Sequence, residues 1–350
     1  MKKMLAGQEL LLGPDHLVTT GTVNNIGYML HKQGKLKDAE VYHRRALDAR
    51  ERTMGLDHPN TLNSLNNMGQ LLVAQGKLNL AEPFLRRHLE SCERVHGLDN
   101  TDTLMSVNNL GGLLHAMGKP SVAESFYRRA LEGRERTDGP SHPDTLVALN
   151  NLGLLLQEQG KFSLAEPFLC RAFEGSELRN GPDHPATLHA MNNLGLLHQS
   201  RGDFGKAKTL LTRSLETRER TLGRDHPDTL VAVCGVGMLL RDQGKLDVAE
   251  PFLRRDLEGC ERVHGPDHPD TLTSINNMGH LLWMQGHCKE AETFLRRAIE
   301  GRKRTLGIEH PNTRLTMKSL SDLLREMATG KCAHCGKAHC GKKKECGGGV

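Results

Sequence analysis

The sequence is short of aromatic residues, of charge of one sign and of long apolar runs. One Trp, three Tyr and eight Phe in 350 residues leave little aromatic area to anchor a large mixed core. No apolar stretch approaches the ~20 residues of a membrane-spanning helix. The N-terminal stretch MKKMLAGQELLLG is interrupted by Gln8 and Glu9, which argues against a signal peptide. The net charge is +5, but residues 331–350 hold five Lys against one Glu, so the main body is nearly neutral. Without a basic stripe, neither nucleic acid nor a membrane is expected as a partner. Cysteine is present without a framework. Cys92, Cys170, Cys234, Cys260 and Cys288 are scattered, and Cys332, Cys335, Cys340 and Cys346 crowd the C-terminus. That usage suits a reducing, cytoplasmic setting.

What the sequence does have is a period. His-Pro occurs at positions 58, 142, 184, 226, 268 and 310, all on one grid of 42 residues that also meets His16 and Asn100. Seven repeats follow: 16–57, 58–99, 100–141, 142–183, 184–225, 226–267 and 268–309. A half repeat covers 310–329. Within the second repeat, Leu62, Leu65, Gly69 and Leu72 fall at helical spacing. After Gln75-Gly76-Lys77, a second stripe runs through Ala81, Phe84, Leu85, Leu89 and Cys92. Pro59 fits the first turn of a helix, and Gly76 and Gly97 fit helix C-termini. Each repeat is therefore expected to be a hairpin of helix A and helix B. No segment alternates with a period of two, so no strands are expected. A lone hairpin cannot bury its own apolar faces, whereas stacked hairpins cover one another. Gly153 and Ala165, with their equivalents in other repeats, are expected at close helix–helix approaches.

The small-residue pattern carries a resemblance. The block Leu149 to Lys161 (LNNLGLLLQEQGK) and the block Ala123 to Glu132 (AESFYRRALE) are similar to the tetratricopeptide repeat, in the 42-residue form of kinesin light chains and nephrocystin-3-like proteins. The resemblance covers about 16–329 and implies an all-α, right-handed superhelical solenoid of stacked helical hairpins. Residues 5–16 align one period ahead of 47–58, so 1–15 reads as the degenerate end of a preceding repeat. No heptad segment of the kind that joins a light chain to its motor is seen. Attachment to a kinesin heavy chain is therefore not expected.

The Asn-Asn pair at 24/25, 66/67, 108/109, 150/151, 192/193 and 276/277 is the leading functional signal; the sixth repeat has Cys234-Gly235 instead. On a helical wheel the second Asn lies about 200° from the buried Leu65. A side-chain amide there offers two donors and an acceptor, suited to the main chain of an extended peptide. In the resembling families, asparagines of helix A hold peptide backbone. Asn25, Asn67, Asn109, Asn151, Asn193 and Asn277 are therefore the candidate groove residues. Tyr28, His115, Gln157 and Trp283 join them from the same wheel, as do His31, His189, Gln199, Arg241 and His280. The alternative for the pairs is a structural ladder between neighbouring helices.

On helix B, the run Glu82, Arg86, Glu90, Arg94 and its equivalents read as a solvated ladder of i,i+4 pairs. Aspartates before His-Pro, such as Asp225 and Asp267, read as turn and cap residues. Histidines at repeat starts lie one per repeat, so no two of them share ligand reach. No catalytic grouping is found, and the expected role is a non-catalytic scaffold for protein partners that needs no cofactor. The tail, 330–350, holds the sole zinc-type spacing recognised in the sequence: Cys332, Cys335, Cys340, Cys346 and His339. It resembles the start of a truncated MYND-type finger. This leaves a second reading, a recognition module of a larger protein whose finger or enzymatic domain lies elsewhere.

Overall fold

The computed structural model describes residues 1–329. Among these residues it contains sixteen helices and no strand. The A helices are α2 (Leu17–Lys32), α4 (Pro59–Ala74), α6 (Thr101–Ala116), α8 (Pro143–Glu158), α10 (Pro185–Arg201), α12 (Pro227–Asp242), α14 (Pro269–Met284) and α16 (Pro311–Thr329). The B helices are α1 (Lys2–Leu12), α3 (Leu36–Met54), α5 (Leu78–His96), α7 (Pro120–Thr137), α9 (Phe162–Asn180), α11 (Phe204–Leu222), α13 (Leu246–His264) and α15 (Cys288–Thr305). Two compact units result, residues 1–181 and residues 182–329. In each, an A helix packs on the B helix that follows it, and that B helix packs on the next A helix.

Helix starts are set by one side chain. The His58 ring Nδ1 accepts the Asn60 N–H at 3.1 Å, and His142, His184, His226 and His268 cap their helices the same way at 3.1–3.3 Å. Asn100 does so with its Oδ1 at 2.9 Å. Each cap satisfies an N–H that the first turn leaves over. The proline that follows His has no N–H to lose there. The aspartates before His-Pro lie in the turn, as expected, but the histidine takes the cap and the aspartates pair with arginines instead. Asp225 pairs with Arg262 at 2.5 Å and Asp267 with Arg304 at 2.5 Å, each joining one B helix to the loop one repeat earlier.

Helix ends are set by glycine. Gly76 closes α4 in the left-handed region (φ 70°). Gly97 ends α5 at φ 84°, ψ 173°, a region essentially reserved for glycine. Close packing relies on glycine as well. A Cβ on Gly153 would sit 2.6 Å from Leu169 Cγ, so α8 approaches α9 only because that atom is missing. Leu169 is fully buried there, as is Ala165. Burying one such leucine contributes about 1.5–3 kcal/mol.

The charge ladder of the B helices divides in two. Glu82–Arg86, Glu124–Arg128 and Glu250–Arg254 pair within their helices, as the spacing predicts. Arg94 and Arg136 instead leave Glu90 and Glu132 for Asp57 and Asp99 of the preceding loop. These partners are 37 residues apart, with a whole A helix and most of a B helix between them, which no i,i+4 rule reveals. A further set joins neighbouring B helices: Arg87–Glu51 at 2.7 Å, Arg129–Glu93 at 2.6 Å and Arg171–Glu135 at 2.5 Å in the first unit. Glu9 of α1 pairs with Arg45 in the same register, and Leu5 packs with Val23, Ile26 and Ala46. Helix α1 thus sits on α2 and α3 as a B helix does.

Candidate functional site

The two asparagines of each pair have different tasks. The second donates its Nδ2 to the Oδ1 of the first asparagine one repeat earlier. In the first unit Asn67 reaches Asn24 at 3.1 Å, Asn109 reaches Asn66 at 2.9 Å and Asn151 reaches Asn108 at 2.8 Å. The offset is 43 residues, one repeat plus one position, because adjacent A helices lie side by side. The ladder is therefore real, and it uses part of each amide. Asn67 also donates to Asn63 Oδ1 at 3.0 Å, so both its N–H groups are committed. Asn109 and Asn151 are half-buried and keep a second N–H and the Oδ1 without a protein hydrogen-bond partner. Asn25, with no A helix before it, is exposed. Around this row lie Met105, 39% exposed, and Val147, 52% exposed. In the first unit the outer face of the A helices is thus a row of amides beside apolar side chains.

The second unit carries the same row with a gap. Asn193 and Asn277 are half-buried, but Gly235 stands where the sixth repeat would place an amide. Asn192 Oδ1 is consequently buried without a donor. Asn277 donates instead to Cys234 Sγ at 3.4 Å, the thiol having taken the acceptor's place.

Other sequence candidates separate into two groups. Tyr28 is exposed, with the Lys32 ammonium 5.5 Å from its ring centre. His115 and Trp283 lie at the seam between neighbouring A helices. His115 Nε2 is 2.6 Å from Glu158 Oε2, and the Trp283 Nε1–H donates to Glu326 Oε2 at 2.9 Å. Gln199 donates to Asp242 at 2.6 Å in the same 43-residue register. Gln157, at the equivalent position, is half-buried. Trp283 also stacks on His280 with ring centres 6.0 Å apart, so its indole is engaged within the chain. Arg241 is tied to Asp242 at 2.7 Å, and His189 is exposed on α10. Cys332, Cys335, Cys340, Cys346 and His339 lie outside the described residues.

Sequence reasoning missed four buried cations. Arg50, Arg134, Arg218 and Arg302 stand on α3, α7, α11 and α15, each no more than 5% exposed. Arg50 donates to Asn60 O at 2.9 Å and to Ser64 Oγ at 2.8 Å. Arg218 donates to Asp228 O at 2.8 Å, and Arg302 to Asn312 O at 3.0 Å. Arg134 meets Asp138 at 2.9 Å and Asp144 at 3.1 Å. Burial lowers the pKa of Arg50, Arg218 and Arg302, a cost that carbonyl and hydroxyl acceptors meet in part, since Arg50 Nε and Arg218 Nη2 are buried without a hydrogen-bond partner. The alternate repeats place Cys92 and Cys260 at the same position. That alternation, an 84-residue period, was the available signal.

Buried titratable groups differ along the chain in the same way. His88 bonds Ser106 Oγ at 2.8 Å through Nδ1 and Cys92 Sγ at 3.5 Å through Nε2, and burial brings its pKa down to about 4. Its counterpart in the sixth repeat is Asp256, whose pKa burial raises. Cys260 lies 3.6 Å from that carboxyl, and burial with the nearby Asp256 pushes its thiol up to about 12. Such thiols are poor nucleophiles, because the thiolate is the reactive form.

Stacked helical hairpins with an amide-lined outer row define a helical-repeat protein of the scaffold kind. The chain belongs to the tetratricopeptide repeat family. Models of that description match residues 17–94, 74–136, 102–177 and 232–304, and another matches 187–228. Among solved structures, it is similar to the Rap conjugation gene regulator of the plasmid pLS20 in complex with the Phr* peptide, at 15% identity and TM-score 0.63. That match covers 87% of this chain and 78% of the other. BtubC (BKLC) from P. vanneervenii matches at 20% identity and TM-score 0.54 over 66% of this chain and 92% of its own. A kinesin light chain-like repeat protein from Podosopora anserina matches at 17% identity and TM-score 0.50 over 57% and 95%. These likenesses establish the fold. No curated protein matched the chain. No helix among the described residues is long and apolar enough to cross a membrane.

Proposed function

We propose that this chain is a non-catalytic scaffold whose A-helix face holds an extended segment of a partner protein. One observation carries the reading. Asn109 and Asn151 spend one N–H on the ladder and keep an N–H and a carbonyl for a guest. A main chain in extended form presents the same pair of groups. Helices pack 8–10 Å apart and an extended chain rises about 3.3 Å per residue, so one amide would meet about every third residue. Met105 and Val147 would take apolar side chains from the guest. The likeness to a repeat protein solved with a bound peptide supports the reading, as the likeness to kinesin light chain-like proteins supports an adaptor role. In that role the chain would assemble cargo or complexes without chemistry of its own, in the cytoplasm.

The test is a peptide array probed with the full chain and with a variant carrying Asn109→Ala and Asn151→Ala. The expected result is selective capture by the parent, with loss in the variant at unchanged helicity. Capture that survives both substitutions would retire the amide row as the binding element.

A further inference from the structure

The junction between α13 and α14 gathers two imidazoles and a carboxylate. His264 is the last residue of α13, His268 caps α14, and Asp270 follows in its first turn. Their candidate ligand atoms all lie within 4.8 Å of one another. The two rings stack with centres 4.4 Å apart and planes 17° apart. The cap histidine is common to most junctions, but the residue four positions earlier differs: Met54, His96, Asn180, Leu222 and Leu306 stand at other junctions. Four positions after His96 stands Asn100 instead of a histidine. Among the described residues one other junction has a comparable trio, Asp138, His142 and Asp144.

The two trios differ in what lies beneath them. The Arg134 guanidinium sits 2.9 Å from Asp138 and 3.1 Å from Asp144, so that junction already holds its cation. The residue equivalent to Arg134 at the α13–α14 junction is Cys260, a buried thiol. The guanidinium is therefore missing where two imidazoles and a carboxylate converge.

We propose that His264, His268 and Asp270 form a binding site for a borderline divalent transition metal of the zinc, nickel or cobalt type. The donor set, two imidazoles and one carboxylate, favours these ions over magnesium or calcium, which prefer oxygen. Three protein ligands with water in the remaining position is a coordination zinc commonly takes. Bonds of about 2.0–2.1 Å place tetrahedral ligands roughly 3.4 Å apart, so the trio closes slightly on binding. One ring turns out of the stack so that both lone pairs point to the ion. His268 Nδ1 now accepts the Asp270 N–H at 3.3 Å, a long bond that ligation through this nitrogen gives up. The ion would staple the end of one repeat to the start of the next.

The experiment is a zinc titration against a chromophoric chelator. It uses the full chain with Cys332, Cys335, Cys340 and Cys346 changed to Ser, which silences the thiolates of the tail. The parent in this background is compared with His264→Gln, Asp270→Asn and the control Asp144→Asn. His264 is the informative position, because it caps nothing and its replacement leaves both helix starts intact. The expected result is one equivalent bound by the parent and by Asp144→Asn. His264→Gln and Asp270→Asn should each weaken that binding by about tenfold or more. Thermal unfolding gives a second readout: zinc should raise the midpoint of the parent and leave that of His264→Gln unmoved. Zinc affinity and stoichiometry unchanged in both variants, or no zinc bound by the parent, would overturn the site.

Discussion

The two units hold the same hairpins but not the same ladder. In the first, every second asparagine from Asn67 to Asn151 finds the first asparagine of the repeat before it. In the second, Gly235 breaks the series and leaves Asn192 Oδ1 buried without a donor. The buried groups diverge in parallel, with His88 in one unit and Asp256 in the other at the same place in the repeat. Apolar packing is conserved across both, while polar pairing is not. The lesson is that leucine and glycine at fixed spacing carry the hairpin. The polar interior is free to vary, and it is there that stability and recognition are adjusted.

Acid should expose that contrast most. His43 and His88 are buried, and burial brings each to about 4 from the ordinary 6.5. Both ring nitrogens of His43 lack a partner. Their folded pKa values lie below the unfolded value, so the unfolded chain binds more protons between the two. The stability they allow is present above pH 6.5 and is lost as pH falls toward 4. At pH 5 each should cost the first unit about 2 kcal/mol relative to neutral pH. Asp256 has the opposite sign. Its raised pKa favours the folded state at low pH and weakens it as pH rises above the ordinary carboxylate value. Hydrogen exchange from pH 7 to pH 5, corrected for intrinsic rates, should therefore accelerate in α3 to α6 more than in α13 and α14. Equal acceleration would contradict the assignment.

Overpacking should erase the difference between the units. A Cβ on Gly153 meets Leu169 Cγ at 2.6 Å, and one on Gly237 meets Leu253 Cδ2 at 2.8 Å. Gly153→Leu and Gly237→Leu should each cost about 3 kcal/mol, at the upper end of overpacking effects. Thermal unfolding checks both, and an unshifted midpoint would count against the packing described. Breaking the intact ladder comes next in size. Asn67→Ala removes the donor to Asn24, which is 7% exposed, and should cost about 1–2 kcal/mol. Mending the broken ladder is the smallest effect. A Cβ on Gly235 would stand 3.5 Å from Asn192 Oδ1 and 3.8 Å from Leu211 Cδ2, ordinary contact distances. Gly235→Asn should stabilise by about 1 kcal/mol through a new hydrogen bond and a better helix former. Denaturant unfolding that shows a loss instead would mean the gap serves another purpose.

Much of the fold could be read from spacing alone. Leu62, Leu65 and Leu72 are buried and Gly69 faces Leu85, because a 3.6-residue stripe and a small-residue contact are local signals. The seam residues could not be read this way. His115 and Trp283 lie six positions beyond the second asparagine, about 120° from it on the wheel. A single helix cannot show that this flank meets the next A helix, where Glu158 and Glu326 wait. Nor can it separate Arg50 from Arg52. Both belong to one Arg-Glu-Arg string, yet Arg50 is buried on carbonyl and hydroxyl groups and Arg52 pairs at the surface with Asp15. Partners 10 or 37 residues apart are settled by stacking geometry, and stacking is what one sequence leaves implicit.

The sharpest test follows the side-chain amide resonances of Asn109 and Asn151 in the full chain as a captured peptide is added. Both pairs of NH2 signals should shift in step with occupancy, the free N–H of each moving furthest. Saturating binding with both signals unmoved would place the guest elsewhere and contradict the amide row as the recognition surface.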